Sequence, residues 1–193
     1  MIGRALIGAV AAAVALFILG FVFFASGIQN IAIGDVENAR AAAIQQSLAA
    51  NLPNTGTFSV PDDSTAEQTV MYGQGPIATI HYNSRGYAMG DAATLLGGFI
   101  HMLVVAMVMA TGLLTLARYV PTFGERVRLL VLGALGAAAF IHLRDPIWFH
   151  HDWTYAIYAL LVDTLSLVVA GLIILKLLPR EQATTSDTSP RSG

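Results

Sequence analysis

Apolar residues are concentrated in four long stretches of the chain, at 2–25, 92–117, 129–149 and 153–178. Each stretch is close to the ~20 residues that a helix needs to cross the apolar part of a bilayer at ~1.5 Å per residue. The first stretch exceeds the ~7–15 apolar residues of a cleavable signal peptide, so a retained helix is predicted, with cleavage after Ala25 or Gly27 as the alternative. The pattern therefore predicts four transmembrane helices.

The segment 28–91 is polar and carries the signals of short, separate elements. The predicted elements are a helix at 35–50, a strand at 55–60, a short helix at 62–70 and a second strand at 76–82. Asp63 or Ser64 is the predicted N-cap of the short helix, with Glu67 as the capping-box partner of Ser64. About 60 residues with two strands form only a marginal core. We therefore expect this segment to depend on the membrane bundle or on a partner.

Together these elements predict an all-α membrane protein, a four-transmembrane-helix bundle with a small α+β extracytoplasmic cap. The predicted segments are a first transmembrane helix at 1–27, the cap at 28–91, a three-helix transmembrane region at 92–178 and a disordered cytoplasmic tail at 179–193.

The distribution of basic residues predicts the orientation of the four helices. With the N-terminus inside, seven of the ten Lys and Arg residues lie in inner segments. They are Arg4, Arg118, Arg126, Arg128, Lys176, Arg180 and Arg191, against Arg40, Arg85 and Arg144 outside. This excess obeys the positive-inside rule, so both termini are expected in the cytoplasm and 28–91 in the periplasm. The Ala- and Gly-rich apolar segments suggest a bacterial inner-membrane protein.

Composition narrows the class of protein. The chain is 55% hydrophobic and 11% charged, with a mean hydropathy of +0.65, whereas soluble domains carry about 25% charged residues. A net charge of −2 does not indicate a nucleic-acid-binding surface, which is usually strongly basic. The absence of cysteine excludes disulfides, thiolate metal sites and a cysteine nucleophile. No HExxH or GxSxG motif is present, so the sequence does not indicate an enzyme.

Three short elements carry a resemblance to known proteins. They are LP followed by GTFSVP at 52–61, YGQGP at 72–76 and DPIWFHHDWTYA at 145–156. In these the chain resembles a group of small uncharacterised bacterial inner-membrane proteins with four spans and one extracytoplasmic insert between spans one and two. The resemblance covers most of the chain and implies that architecture, but no functional residue is carried over from it.

Ionisable residues inside the predicted spans are the main candidates for function. Because an ionisable group in lipid is costly, we expect His101 and Asp163 to face the bundle interior. His101 and Asp163 lie roughly 14 Å below the outer surface of their helices, each on a stripe of small and polar residues, so a contact between them is allowed. The third span reaches adequate length only if it extends to Phe149, which brings His142 and its neighbours into the outer half of the bundle. The predicted intramembrane polar cluster is His101, His142, Arg144, Asp145 and Asp163.

Several interpretations of this cluster compete. Paired polar groups that fix helix register are one, and a proton or ion relay, or a small-substrate path, is another. A b-type haem held by His101 and His142 is a third. Outside the span, His81, His150 and His151 are weak candidates for a metal site. The alternative is an outer aromatic belt at the membrane interface, formed by Trp148, Phe149, Trp153, Tyr155 and Tyr158. No cofactor is otherwise expected.

The function favoured by the sequence is that of a non-enzymatic accessory or scaffold subunit. It would sit in the lipid bilayer and bind another membrane protein, an envelope component or a second copy of itself. The alternatives, in order, are a transport or proton-relay element and a haem-binding membrane protein.

Overall fold

The structure, a computed structural model, describes residues 2–88 and 90–178. Its elements are α1 (Ile2–Phe24), a 3-10 helix (Ile28–Ile31), α2 (Asn38–Asn51), β1 (Gly56–Val60), α3 (Ala66–Gln74), β2 (Ala78–Tyr82), α4 (Ala92–Tyr119), α5 (Phe123–His142), α6 (Arg144–Phe149) and α7 (Trp153–Leu177). Four helical segments are long and apolar enough to cross a membrane, and α5 with α6 forms the third of them. The predicted tail at 179–193 lies outside the described residues.

The first unit of the chain, here called the bundle, contains α1 and everything from α4 onward. Helix α1 packs against α4 and α7, while α5 packs against α7. The buried core is made largely of alanines, with Ala9, Ala13 and Ala106 fully shielded. A Cβ on Gly8 would lie 3.4 Å from the backbone of Ile174, so α1 and α7 approach closely there. Small side chains permit this close approach, which drives helix packing in lipid.

Small residues spaced four apart in the sequence predict packing faces at Ala9/Ala13 and Ala11/Ala15 on α1 and at Gly133/Ala137 on α5, and these are only partly the faces that pack. On α1, Ala9 and Ala13 are buried as predicted, and on α7 Ala156, Ala159 and Ala170 are buried. On α5, however, the predicted face of Gly133 and Ala137 is exposed. The buried residues there are Leu130, Ala134 and Ala138, because α5 turns that face to α7.

The second unit, the cap, comprises Gly34–Asp91. Strands β1 and β2 pair antiparallel, with Gly56 opposite Tyr82 and Val60 opposite Ala78, and α3 forms part of their connection. The predicted short helix exists, but the prediction of its N-cap was wrong. Thr65 is the N-cap, because its side chain accepts the Gln68 N–H, and Asp62 instead accepts both the N–H and the hydroxyl of Ser64.

Candidate functional site

A histidine–aspartate pair joins α5 to α7. His142 Nε2 lies 2.7 Å from Asp163 Oδ2. The His142 side chain is 19% exposed and the Asp163 side chain 42% exposed. One turn before each of them, Ala138 and Ala159 are buried, so the two helices can approach closely enough for the side chains to meet. The pair satisfies a carboxylate that lies ~15 Å along α7 from its start.

The end of α5 is shaped by the sequence that follows His142. Helix α5 stops there, and α6 begins at Arg144 with Pro146 in its first turn, where proline is tolerated. The span is therefore interrupted at Leu143. This interruption leaves His142 at the last position of α5, directed at α7 instead of continuing along one straight helix.

Arg144 and Asp145 form a separate ion pair with each other. Arg144 Nε donates to Asp145 Oδ1 at 2.9 Å, and both side chains are well exposed, at 64% and 42%. Asp145 also lies in the first turn of α6, where a negative charge complements the helix dipole. Among the described residues no hydrogen bond or ion pair links this pair to His142 or Asp163.

The expectation that His101 faces the bundle interior was wrong. Its side chain is exposed on α4. Helix α4 packs on α1 through Ala106, Ala110 and Leu113. His101 lies roughly 140° around the helix from Ala106, since each residue advances the helix by ~100°. Packing therefore turns His101 outward, and His142 takes the place beside Asp163 that the sequence had suggested for His101.

The same arrangement separates the two histidines considered for haem. Within the described residues no hydrogen bond or ion pair joins His101 to His142, and Asp163 engages His142 Nε2. The two histidines lie on different helices, α4 and α5, and the haem hypothesis stays a prediction.

Two polar residues near Asp163 were not singled out by the sequence as interior groups. Tyr158 was assigned to an outer aromatic belt, yet its hydroxyl donates to the Phe23 carbonyl at 2.5 Å and its ring meets Phe24 edge-on at 6.0 Å. The Thr164 Oγ1 is buried and has no hydrogen-bond partner among the described residues. The one feature of the sequence that could have indicated an interior position for Tyr158 is its place within the apolar stretch of α7.

The three weak metal candidates lie in different surroundings. His81 Nδ1 is 3.1 Å from Thr57 Oγ1, its cross-strand neighbour in the cap. His150 ends α6 in the left-handed conformation, and the ring of His151 lies 5.8 Å from that of Phe149. In the part of the chain that the structure describes, no three His, Asp or Glu side chains are grouped to hold a metal ion.

The aspartate that begins α7 has a lowered pKa. Asp152 Oδ2 accepts the Tyr155 N–H at 2.8 Å as the N-cap of the helix. This backbone hydrogen bond, followed by one from Thr154, holds the pKa of the Asp152 carboxyl below its usual value of 3.8.

An apolar groove separates α4 from α5. Only residues 120–122 connect these helices, yet they scarcely pack on one another. The cavity between them has a volume of about 290 Å³. It is lined by Met109, Gly112, Leu113 and Leu116 of α4, by Leu129, Leu130, Gly133, Ala134 and Ala137 of α5, and by Leu167 of α7.

Comparisons with protein-family models, with curated proteins and with solved structures found no match to this chain. Function is therefore inferred from the geometry of the molecule itself.

Proposed function

We propose that the protein is a non-enzymatic accessory or scaffold subunit of a bacterial inner membrane, which binds another membrane protein or an envelope component through its cap. The observation that supports this proposal is the absence of buried residues in the described part of the cap. No described residue of Gly34–Asp91 is buried, although the unit contains two helices and a strand pair. A unit of this size forms only a marginal core, and a partner surface would complete it.

The apolar side chains of the cap are the proposed contact surface. Ile44 on α2 is 52% exposed, Val70 and Met71 on α3 are 60% and 51% exposed, and Tyr87 is 74% exposed. Helix α2 also exposes polar side chains beside Ile44, so the surface is a mixture of apolar and polar groups, as non-obligate interfaces usually are. The seven inner and three outer basic residues support placing this surface in the periplasm.

A pair of substitutions on α2 tests the proposal. Ile44→Lys adds a charge on the apolar face, whereas Gln46→Lys adds the same charge ~160° away on the same exposed helix. Burial of half an Ile side chain is worth about 1.4 kcal/mol, so we expect about tenfold less partner recovered with Ile44→Lys. The measurement is the molar ratio of co-purified protein, by mass spectrometry, from native membranes in mild detergent.

The result with Gln46→Lys decides what the loss means. We expect it to leave both the abundance of the protein and the partner ratio unchanged. If both variants keep a wild-type ratio, or if wild type purifies with no stoichiometric partner, the accessory function is refuted.

A second candidate function is proton relay through the bundle, and the 2.7 Å contact between His142 and Asp163 favours it. Imidazole titrates near physiological pH, and an intramembrane carboxylate beside it is a common element of proton paths. The test is proton flux into liposomes that contain the purified protein. Asp163→Asn removes the proton acceptor, and His142→Gln removes the titratable imidazole but keeps an N–H donor to Asp163, so both variants should abolish the flux.

Abundance separates this candidate from a structural role. If Asp163→Asn accumulates normally and loses the flux, the relay is supported. If the variant fails to accumulate, or wild type shows no flux, the pair serves to fix the register of α5 on α7.

A further inference from the structure

We propose that the α4–α5 groove binds one anionic phospholipid, with an acyl chain in the groove and the phosphate on Arg126. The groove lies within the bundle, and this proposal does not rest on the accessory function. Two independent features define it, the shape and polarity of the groove and the cation at its end.

The groove matches an acyl chain in length and polarity. Its α5 side runs from Leu129 to Ala137, eight residues or ~12 Å, and its α4 side runs over a similar length from Met109 to Leu116. One leaflet of the apolar core is ~15 Å thick, so the groove would hold most of one chain. Its walls are formed by leucine, methionine, alanine and glycine residues, which offer no polar side chain to an occupant.

Arg126 places a cation at the basic end of this groove. It precedes Gly133 by seven residues, so it lies on nearly the same face of α5, ~20° away. Its Nε donates to the Val120 carbonyl at 2.6 Å, and its Nη2 donates to the carbonyls of Ala117 at 2.8 Å and Pro121 at 3.5 Å. These bonds hold the guanidinium in place across the end of α4.

The guanidinium nevertheless keeps binding capacity. None of the hydrogen bonds of the described residues uses Nη1, which carries two of the five N–H donors. No acidic residue in the described chain pairs with Arg126, and the carboxylate of its neighbour Glu125 accepts the Thr122 hydroxyl at 2.8 Å. The fixed fork of an arginine is well suited to a phosphate oxygen.

The surrounding charge favours an anionic lipid over a zwitterionic one. The segment 118–128 contains Arg118, Arg126 and Arg128 against the single acid Glu125, a net charge of 3 − 1 = +2. Arg118 and Arg128 are exposed and have no ion pair within the described residues. Basic pockets between transmembrane helices bind the head groups of anionic lipids by this complementarity.

The test is native mass spectrometry of the full protein, extracted from phosphatidylcholine vesicles that contain phosphatidylglycerol. We expect wild type to retain one phosphatidylglycerol in preference to phosphatidylcholine. Arg126→Gln should lower that preference about fivefold, the effect of one basic residue near the head group. Gly133→Leu fills the groove and should remove the retained lipid of either kind.

Two matched substitutions serve as controls. Arg128→Gln removes the same charge ~140° away from Gly133 on α5, and Gly136→Leu adds the same side chain at an exposed glycine that does not line the groove. Both should retain the lipid as wild type does. Since Arg126→Gln also removes bonds to the end of α4, Gly133→Leu decides alone if that variant does not fold.

Three results would overturn the proposal. Equal losses with Arg128→Gln and Arg126→Gln would mean a diffuse surface charge. Unchanged lipid retention with Gly133→Leu would mean that the groove is not the site. A wild-type dimer that retains no lipid, and that Gly133→Leu converts to a monomer, would assign the groove to a second copy of the chain.

Discussion

Substitution of Gly171 tests how tightly α5 packs on α7, the interface that carries the His142–Asp163 pair. Gly171 is buried, and a Cβ placed there would lie 2.6 Å from Leu130 Cδ2 and 3.0 Å from its Cγ, and nearer still to its Cδ1. Non-bonded carbons rest at ~3.5–4.0 Å, so Gly171→Ala forces the Leu130 side chain to move.

The expected magnitude follows from two opposing effects. Overpacking a core costs about 1–3 kcal/mol, while alanine in place of glycine within a helix contributes about 1 kcal/mol. Leu130 lines the α4–α5 groove, into which its side chain can turn, so we expect a cost below the upper end of this range, at about 2 kcal/mol. The net result is a loss of about 1 kcal/mol in the free energy of unfolding, obtained from these two values.

A double-mutant cycle isolates the contact. In Leu130→Ala the atoms that oppose the new methyl group are absent, so Gly171→Ala in that background should be neutral or stabilising. The coupling energy between the two positions should then be about 1–3 kcal/mol. Reversible unfolding in mixed micelles with increasing SDS, followed by far-UV circular dichroism, measures all four proteins.

Gly136→Ala is the matched control, since nothing lies within 4 Å of the Cβ that it adds on α5. We expect it to be neutral or stabilising by up to about 1 kcal/mol. A coupling energy near zero, or equal stabilities of Gly171→Ala and Gly136→Ala, would show that α5 and α7 do not pack as described.

Three further predictions concern polar groups. His142→Ala leaves the Asp163 carboxylate without its partner and should destabilise the bundle in the same unfolding assay by about 1–3 kcal/mol, with most of the loss absent in His142→Gln. If alanine and glutamine cost the same, the 2.7 Å contact contributes nothing. Tyr158→Phe removes a donor to the last turn of α1 and should cost about 0.5–1.5 kcal/mol, with unchanged stability as the contrary result. Hydrogen bonds from the Ser64 hydroxyl and N–H lower the pKa of Asp62 below its usual value of 3.8, so their contribution is present above pH 3.8 and is lost as the pH falls through the lowered value. An NMR titration of the Ser64 amide should therefore show a midpoint below 3.8, and a midpoint at or above 3.8 would contradict the hydrogen bonds.

The order and type of the elements could be predicted from the sequence because they depend on local pattern. Runs of about 20 apolar residues mark the four long helices, and prolines and alternating residues mark the elements of the cap. The prediction that the third span continues past His142 to Phe149 also followed from length alone, and the structure has α5 and α6 there.

The contacts within the candidate site were harder to predict from the sequence. The sequence singled out His142, Arg144, Asp145 and Asp163 because charged groups inside apolar stretches are conspicuous. It paired Asp163 with His101, whereas the structure pairs it with His142. Depth along a helix can be counted from the sequence, but two histidines at similar depth cannot be distinguished by counting.

Only the tertiary structure decided which face of each helix turns inward. In water the apolar face of a helix identifies its buried side, but in lipid both the interior and the surroundings are apolar, so the hydrophobic pattern does not fix the rotation. Small side chains fix it instead, through close contacts such as those of Ala106 on α4 and Ala138 on α5. Those contacts turn His101 outward, bring His142 to Asp163 and leave Gly133 beside an open groove.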